Sequence, residues 1–257
     1  MEAAAAFVDR VGIAVAWGKA DLVLPSLWHA IAGRQDADWA IRDETGKSIG
    51  FSPEFERLWH WKDELPEQRL ACAGKHFTDA ALLIAPRLLA AAYALTGRLG
   101  EPDDFRETEL EALEREVAEA VLENEPLTVR ELRRVLGTDD RKGVDRAVGR
   151  LQRKLVLTNA GATEQAQGWR AIRQDLLARR WRKSLRRLPA EDEARRELAL
   201  AVVAGTDEVS AADVAGALGW RLKQAEAVLC ELGATGLAKE REDDDLRLWS
   251  AKDSLPK

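Results

Sequence analysis

The stretch Asp140 to Gly161, DRKGVDRAVGRLQRKLVLTNAG, decides how the rest of this chain is read. Spaced at about 100° per residue, Val144, Ala147, Val148, Leu151 and Leu155 fall on one stripe. Lys142, Arg146, Gly149 and Arg153 fall on the opposite side, with Arg150 beside them and Arg141 and Lys154 at the two ends. One face is therefore expected in a core and the other carries a row of positive charge. The helical spacing gives way to Leu155-Val156-Leu157-Thr158 and then Asn159-Ala160-Gly161, which predicts a strand entering a hairpin turn. A helix with a basic outer face followed by a strand and a turn is how a winged helix-turn-helix ends.

The charge of the whole chain hides this feature. The 257 residues carry a formal net charge of −6. Between Thr128 and Arg187, 17 Lys and Arg face 6 Asp and Glu, a local +11 that leaves −17 for the remainder. Such polarisation concentrates a positive field on one region. The length favours two or three small domains over one. A hydrophobic fraction of 46% and a charged fraction of 33% suit a globular chain, and the scarcity of β-branched runs predicts a mainly helical one. Cys72 and Cys230 match no metal spacing and form no disulfide framework, as in a reducing cytoplasm. No apolar run approaches the roughly 20 residues of a membrane span.

Outward from the organising stretch, Leu110, Leu113, Val117, Ala120 and Val121 share a helical face that ends at Glu125-Pro126. Thr128 and Glu131 have capping-box spacing for a helix from Val129 to Leu136, closed by Gly137, and Asp140 opens the next. Trp169 to Leu188 is expected to form one further helix. After Leu188-Pro189-Ala190 the same order recurs: helices Glu191 to Ala204, Ala211 to Leu218 with Ser210 as N-cap, and Leu222 to Leu232 closed by Gly233. Strands Leu237 to Arg241 and Leu246 to Trp249 then flank the acidic turn Glu242-Asp243-Asp244-Asp245. Before residue 105 the expectations are a helix at Ala3 to Arg10, a strand at Gly12 to Trp17, a helix at Leu24 to Ala32, and a helix opened by Ser52-Pro53 and broken at Leu65-Pro66. An extended piece within Lys75 to Ala85 and a helix from Arg87 to Leu95 complete that part.

The fold class that follows is mainly α with small β wings, in tandem winged helix-turn-helix domains: an N-terminal α+β domain at 1–104, a basic winged helix at 105–188 and a C-terminal winged helix at 189–257. The two copies differ in charge. The outward face of the last long helix balances Lys223 against Glu231, and its hairpin is acidic, so that copy is expected to pack on the protein or a partner rather than on phosphates. In the middle copy, Lys and Arg side chains release counterions when they meet phosphates, and Arg146, Arg150 and Arg153 are long enough to reach base edges. Arg141, Lys142, Gly149, Lys154 and Asn159 complete the candidate duplex-DNA surface. Gly149 would admit close backbone approach.

Catalytic signatures are sparse. There is no Gly-rich phosphate loop, no Gly-x-Ser-x-Gly elbow and no His-Glu-x-x-His, and His29, His60 and His76 lack metal-ligand spacing. No metal or cofactor is expected. Trp59-His60-Trp61-Lys62-Asp63 is the one dense cluster, with Trp59, Trp61 and Asp63 as a candidate pocket in which rings stack on an unpaired base.

LPSLWHAIAGR (Leu24 to Arg34), WHWKDELP (Trp59 to Pro66), GKHFTDAALLIAPRLLAAAYALTG (Gly74 to Gly97) and VDRAVGRLQRKLVLTNAG (Val144 to Gly161) together resemble the AlkZ-like winged-helix DNA glycosylase superfamily, and its shorter members most closely. The resemblance implies tandem winged helices around a positively charged DNA channel and, for the glycosylases, excision of alkylated or crosslinked bases. It also implies a Gln-apolar-Gln or Gln-apolar-Asp triplet in the first domain. Here the positional counterpart is Ile13-Ala14-Val15-Ala16, which has neither glutamine nor acid, and the literal Gln165-Ala166-Gln167 lies in the middle wing as a chance match. No catalytic residue is assigned. The leading expectation is duplex-DNA binding through the middle domain. Base excision is the alternative and a winged-helix protein-interaction scaffold the third.

Overall fold

The structure is a computed structural model that describes residues 1–18, 21–34, 39–165, 169–243 and 246–252. Helices dominate, joined by small sheets. The N-terminal part runs α1 (Glu2–Val11), β1 (Ile13–Val15), α2 (Trp28–Ala32), β2 (Ala40–Arg42), β3 (Ser48–Phe51), α3 (Pro53–Glu67), β4 (Cys72–Gly74), β5 (Leu82–Ile84) and α4 (Leu89–Ala94). Then come α5 (Ala112–Glu123), β6 (Leu127–Thr128), α6 (Val129–Leu136), α7 (Arg141–Arg153), β7 (Leu157–Thr163), β8 (Ala171–Leu176) and α8 (Leu177–Arg180). The chain finishes with α9 (Glu191–Ala204), α10 (Ala211–Leu218), α11 (Leu222–Ala234), β9 (Ala238–Asp243) and β10 (Leu246–Ala251).

Local chemistry explains the clearest of these. Ser52 caps α3 by accepting from the Phe55 N–H at 3.1 Å, and Pro53 begins the helix with its fixed φ. Thr128 and Glu131 form the reciprocal capping box of α6, and Ser210 and Asp213 form that of α10. On α7, Val144, Ala147, Val148 and Leu151 are buried against Val117, Val121 and Leu132 of α5 and α6, so the spacing read from the sequence is the spacing that packs.

Six strands join in the order β1-β5-β4-β7-β8-β6. Strands from before and after residue 104 therefore share one sheet, through the Ala73–Asn159 pairing of β4 with β7. One large apolar cluster runs from Ile13 and Tyr93 through Trp181 to Leu198, Leu229 and Trp249. The C-terminal helices thus pack intramolecularly, on α4 above all.

Several expectations are corrected. The helix expected from Leu24 begins only at Trp28, because Pro25 accepts from the Val15 N–H at 2.9 Å and Ser26 pairs with Val15, which claims these residues for the edge of β1. Leu65-Pro66 does not break α3. Pro66 sits in its last turn, where it takes a helical donor from one carbonyl only, and the fully buried Leu65 holds the chain in place. Asn159-Ala160-Gly161 is no turn, since β7 runs through it as a bulge with a register shift between Asn159 and Ala162. Trp169 to Leu188 is not one helix: residues 171–176 pair with β7 as β8, and only Leu177–Arg180 is helical. Ladder pairing outweighs the helix propensity of that Arg- and Leu-rich run. Gly233 lies inside α11 rather than ending it.

Candidate nucleic-acid interface

The interface is built on α7. Asp140 accepts from the Gly143 N–H at 2.9 Å and starts the helix. The cations on the helix then divide. Lys142 and Arg146 are exposed with no ion-pair partner among the described residues, and Arg141 makes only a loose pair with Asp145 at 3.6 Å. The other three are held. Arg150 pairs with Glu111 and Glu114 of the α5 start, Lys154 pairs with Glu114 at 2.8 Å, and Arg153 pairs with Asp79. Burial pushes the Glu114 carboxyl up, but the Lys154 and Arg150 hydrogen bonds outweigh it and hold it below the usual carboxylate range. The N-terminal half of α7 thus carries the free charge, while the C-terminal half is tied to its neighbours on two sides. Helical phase alone showed none of this, because the acids that hold Arg150 and Arg153 come from 36 and 74 residues away.

Beside the free half lies an open cleft of about 800 Å³. Lys75, Arg130, Arg133, Arg141 and Arg170 line it against one carboxylate, Asp145. Four of these cations come from outside α7 and its predicted face. Gly149 also opens onto the cleft, and a Cβ there would meet nothing nearer than Lys75 Cδ at 4.0 Å.

The cleft floor is a relay of amides. The Lys75 backbone N–H donates to Gln152 Oε1 at 2.8 Å. Since a backbone nitrogen can only donate, the Gln152 orientation follows, and its Nε2 must donate onward, to Asn159 Oδ1 at 2.8 Å and to Gln174 Oε1 at 2.7 Å. Gln174 Nε2 also donates to Asn159 Oδ1, at 3.3 Å. Asn159 has thus committed its acceptor, and its NH2 has no partner among the described residues at the cleft wall. Beneath the relay, His76 Nδ1 lies 3.0 Å from the Gln152 carbonyl, so it carries the proton and leaves Nε2 facing Cys72 Sγ at 3.5 Å. Burial drives His76 down to about 4 and the Cys72 thiol up to about 12, so both stay neutral and act as packing, not as nucleophile and base. No group of three or more His, Cys, Asp or Glu among the described residues is arranged to hold a metal.

The candidate pocket of Trp59, Trp61 and Asp63 comes apart. Trp59 faces outward into a ring cluster, 4.6 Å from Trp169 and 5.8 Å from Phe55. Trp61 packs on the N-terminal core, and Asp63 is buried, paired with Lys62 at 2.6 Å and Arg170 at 3.7 Å. Ile13-Ala14-Val15-Ala16 is wholly buried, so no side chain there reaches the cleft. Of Gln165-Ala166-Gln167 only Gln165 is among the described residues, and it donates to the Trp169 carbonyl at 2.9 Å. Asp244 and Asp245 of the acidic turn also lie outside them. The rest of that hairpin offsets its acids, with Arg241 paired to Glu208 and Asp243 and Arg247 paired to Glu240.

No curated protein is similar enough in sequence to count as a relative. Among solved structures, the DNA glycosylase AlkZ of Streptomyces sahachiroi has a similar fold, with a TM-score of 0.55 at 16% identity over 97% of this chain. That alignment takes in 64% of the glycosylase, so this chain spans less than two thirds of its length. The sequence profile of the AlkZ-related family matches residues 1–217, and the chain belongs to that family.

Proposed function

We propose that this protein binds duplex DNA through the N-terminal half of α7 and the adjoining cleft. In this reading α5 to β8 is a winged helix-turn-helix with β7 and β8 as its wing. The segment from α9 to β10 is a second one that packs on α4. The parts at 1–104, 105–188 and 189–257 are three units of one DNA-repair or DNA-binding protein of the cytoplasm. The observation that carries the proposal is the charge of the cleft, in a chain whose net charge is −6: five cations line it with one carboxylate, and although Arg133 pairs with Asp139 and Arg170 with Asp63 and Glu164, Lys75 and Arg130 have no ion-pair partner among the described residues. Such a surface neutralises phosphates and gives affinity with little dependence on sequence. Membership of a family related to a DNA glycosylase supports it.

Fluorescence anisotropy with a labelled duplex over a salt series tests this. Affinity should fall steeply with salt. Changing Arg130, Arg141 and Arg146 to Glu should abolish tight binding and flatten the salt slope by about 0.9 for each phosphate that is no longer neutralised. Salt-independent binding, or binding untouched by these changes, refutes the proposal and leaves the scaffold reading in its place. Base excision is a second reading, favoured by Asn159 at the cleft wall, whose NH2 has no partner among the described residues and is able to hold a water. Incubation with alkylated or crosslinked duplex, followed by an abasic-site assay, decides it: no released base leaves binding alone.

A further inference from the structure

Next to the cleft stands a second feature. Trp17, Trp39, Phe51, Phe55, Trp59 and Trp169 form one connected set of rings, with Phe51 and Phe55 stacked at 4.7 Å and Trp59 and Trp169 tilted against each other at 4.6 Å. They join four separate parts of the chain: the segment after β1, the β2–β3 hairpin, α3, and the start of the β8 arm of the proposed wing. Trp17 and Phe55 are half-buried and lean on the N-terminal core, and Trp59 is half-buried, but the other three rings are exposed. Trp169 is 60% exposed, Trp39 49% and Phe51 41%. The hairpin is not part of the six-stranded sheet, and all four residues of β3 are exposed. A contiguous aromatic surface left in water by a folded chain marks a binding surface.

Its surroundings select the occupant. Lys62 Nζ sits 4.2 Å from the centre of the Trp59 ring, and Trp169 together with Arg170 also lines the basic cleft. Rings interleaved with cations, and continuous with a groove that tracks a phosphate backbone, match what an unpaired nucleotide presents: a π face on one side and a phosphate on the other. An acyl chain or an apolar helix would have no use for the adjoining cations. We propose that Trp39, Phe51 and Trp169 stack unpaired bases of a strand whose backbone runs along the cleft, so that the preferred substrate class is DNA with single-stranded character, a gap, bubble or flap, rather than perfect duplex. This rests on the DNA-binding reading above.

The test uses the whole protein, with anisotropy on three probes: a perfect duplex, the same duplex carrying a short single-stranded gap, and an oligothymidine. Tryptophan quenching is followed in parallel. The gapped probe should bind about tenfold more tightly than the perfect duplex and should quench the tryptophan emission. Trp39→Ala, whose ring lies outside the cleft lining, should remove most of that preference while leaving perfect-duplex affinity and its salt slope unchanged, and Trp169→Ala, at the cleft edge, should lose more affinity for the gapped probe than for the duplex. Trp169→Tyr, which keeps a ring, should retain the preference. Both tryptophans are exposed, so the variants should fold, and their melting curves check this. Equal binding of gapped and perfect duplex, or equal loss on both probes in the alanine variants, overturns the inference while leaving the DNA-binding reading intact. Absence of binding to every probe defeats that underlying reading as well. Sedimentation showing a dimer that Trp39→Ala dissociates overturns it in favour of a second copy of the chain.

Discussion

Lys75 contributes one backbone N–H to the cleft floor, and that donor orients three side-chain amides in turn. Gln152→Ala should therefore leave the Lys75 N–H and Gln174 Oε1 without their partners and Asn159 Oδ1 with only the longer bond from Gln174 Nε2, and urea denaturation should show a loss of about 2–3 kcal/mol. Asn159→Ala removes the outward NH2 and also the Oδ1 that accepts from the buried Gln152 and Gln174 amides. It should cost about 1–2 kcal/mol of stability and weaken duplex binding several-fold in anisotropy. His76 gives the pH dependence. Its folded pKa, about 4, lies below the ordinary histidine value of 6.5, so the native state resists a proton that the unfolded chain accepts. Stability from this group is full above pH 6.5, falls as the pH drops toward 4, and loses no more below it, a span of roughly 3 kcal/mol. Denaturant midpoints measured across that window should fall in the wild type and slope less in His76→Gln. At this scale the sequence showed which residues carry charge but not which charges are already paired. Arg146 and Arg150 are four positions apart on one helix, and only Glu111 and Glu114, brought in by tertiary packing, separate a free cation from a structural tie.

Among the elements, those with strong local chemistry were legible: α6, α9 and α10 match their predicted ends, because capping boxes, Ser210 and the apolar spacing all agree. Elements defined by a distant partner were not. β8 reads as helix by composition and becomes strand only because β7 is beside it, and Asn159 to Gly161 reads as a turn but is carried through the β7–β8 ladder as a bulge. Gly161 marks the place. Its φ of 99° is one that side chains rarely adopt, and a Cβ there would lie 2.7 Å from Glu67 Cβ. Gly161→Ala should consequently destabilise by about 1–3 kcal/mol in thermal melts and disturb the bulge that aims Asn159. Gly149→Ala should do the opposite. With open space around it, alanine in mid-helix should add up to about 1 kcal/mol of stability. It should also weaken DNA binding, if the phosphate backbone approaches α7 as closely as proposed. A variant that is both more stable and unchanged in binding would move the contact elsewhere.

For the whole molecule, charge polarisation was visible in the sequence, and so was the repeated order of helices, but the way the parts join was not. The sheet runs through the boundary expected at residue 104, and the large apolar cluster takes residues from Ile13 to Trp249. No local spacing reports a face that is shared by α4 and α9. A chain ended after Leu188 would expose Leu88, Leu89, Ala92 and Tyr93, now buried against α9 and its neighbours. It should aggregate or melt far below the full chain by circular dichroism. The full chain should unfold in one transition whether followed by helix signal or by tryptophan fluorescence. Among the described residues no helix is long and apolar enough to cross a membrane.

The meeting of β4 with β7 also sets a timetable. Cys72 and Thr158 stand 86 residues apart in the chain, whereas α5, α6, α7 and the β7–β8 pair are neighbours in sequence. Closing so long a loop is slow and comes after local structure has formed. The floor of the cleft, where Ala73 pairs with Asn159, should be among the last parts to assemble. In stopped-flow refolding, helical circular dichroism should then recover ahead of the ability to capture a labelled duplex. For that interval the protein would carry its basic helix without the groove that gives the helix a use.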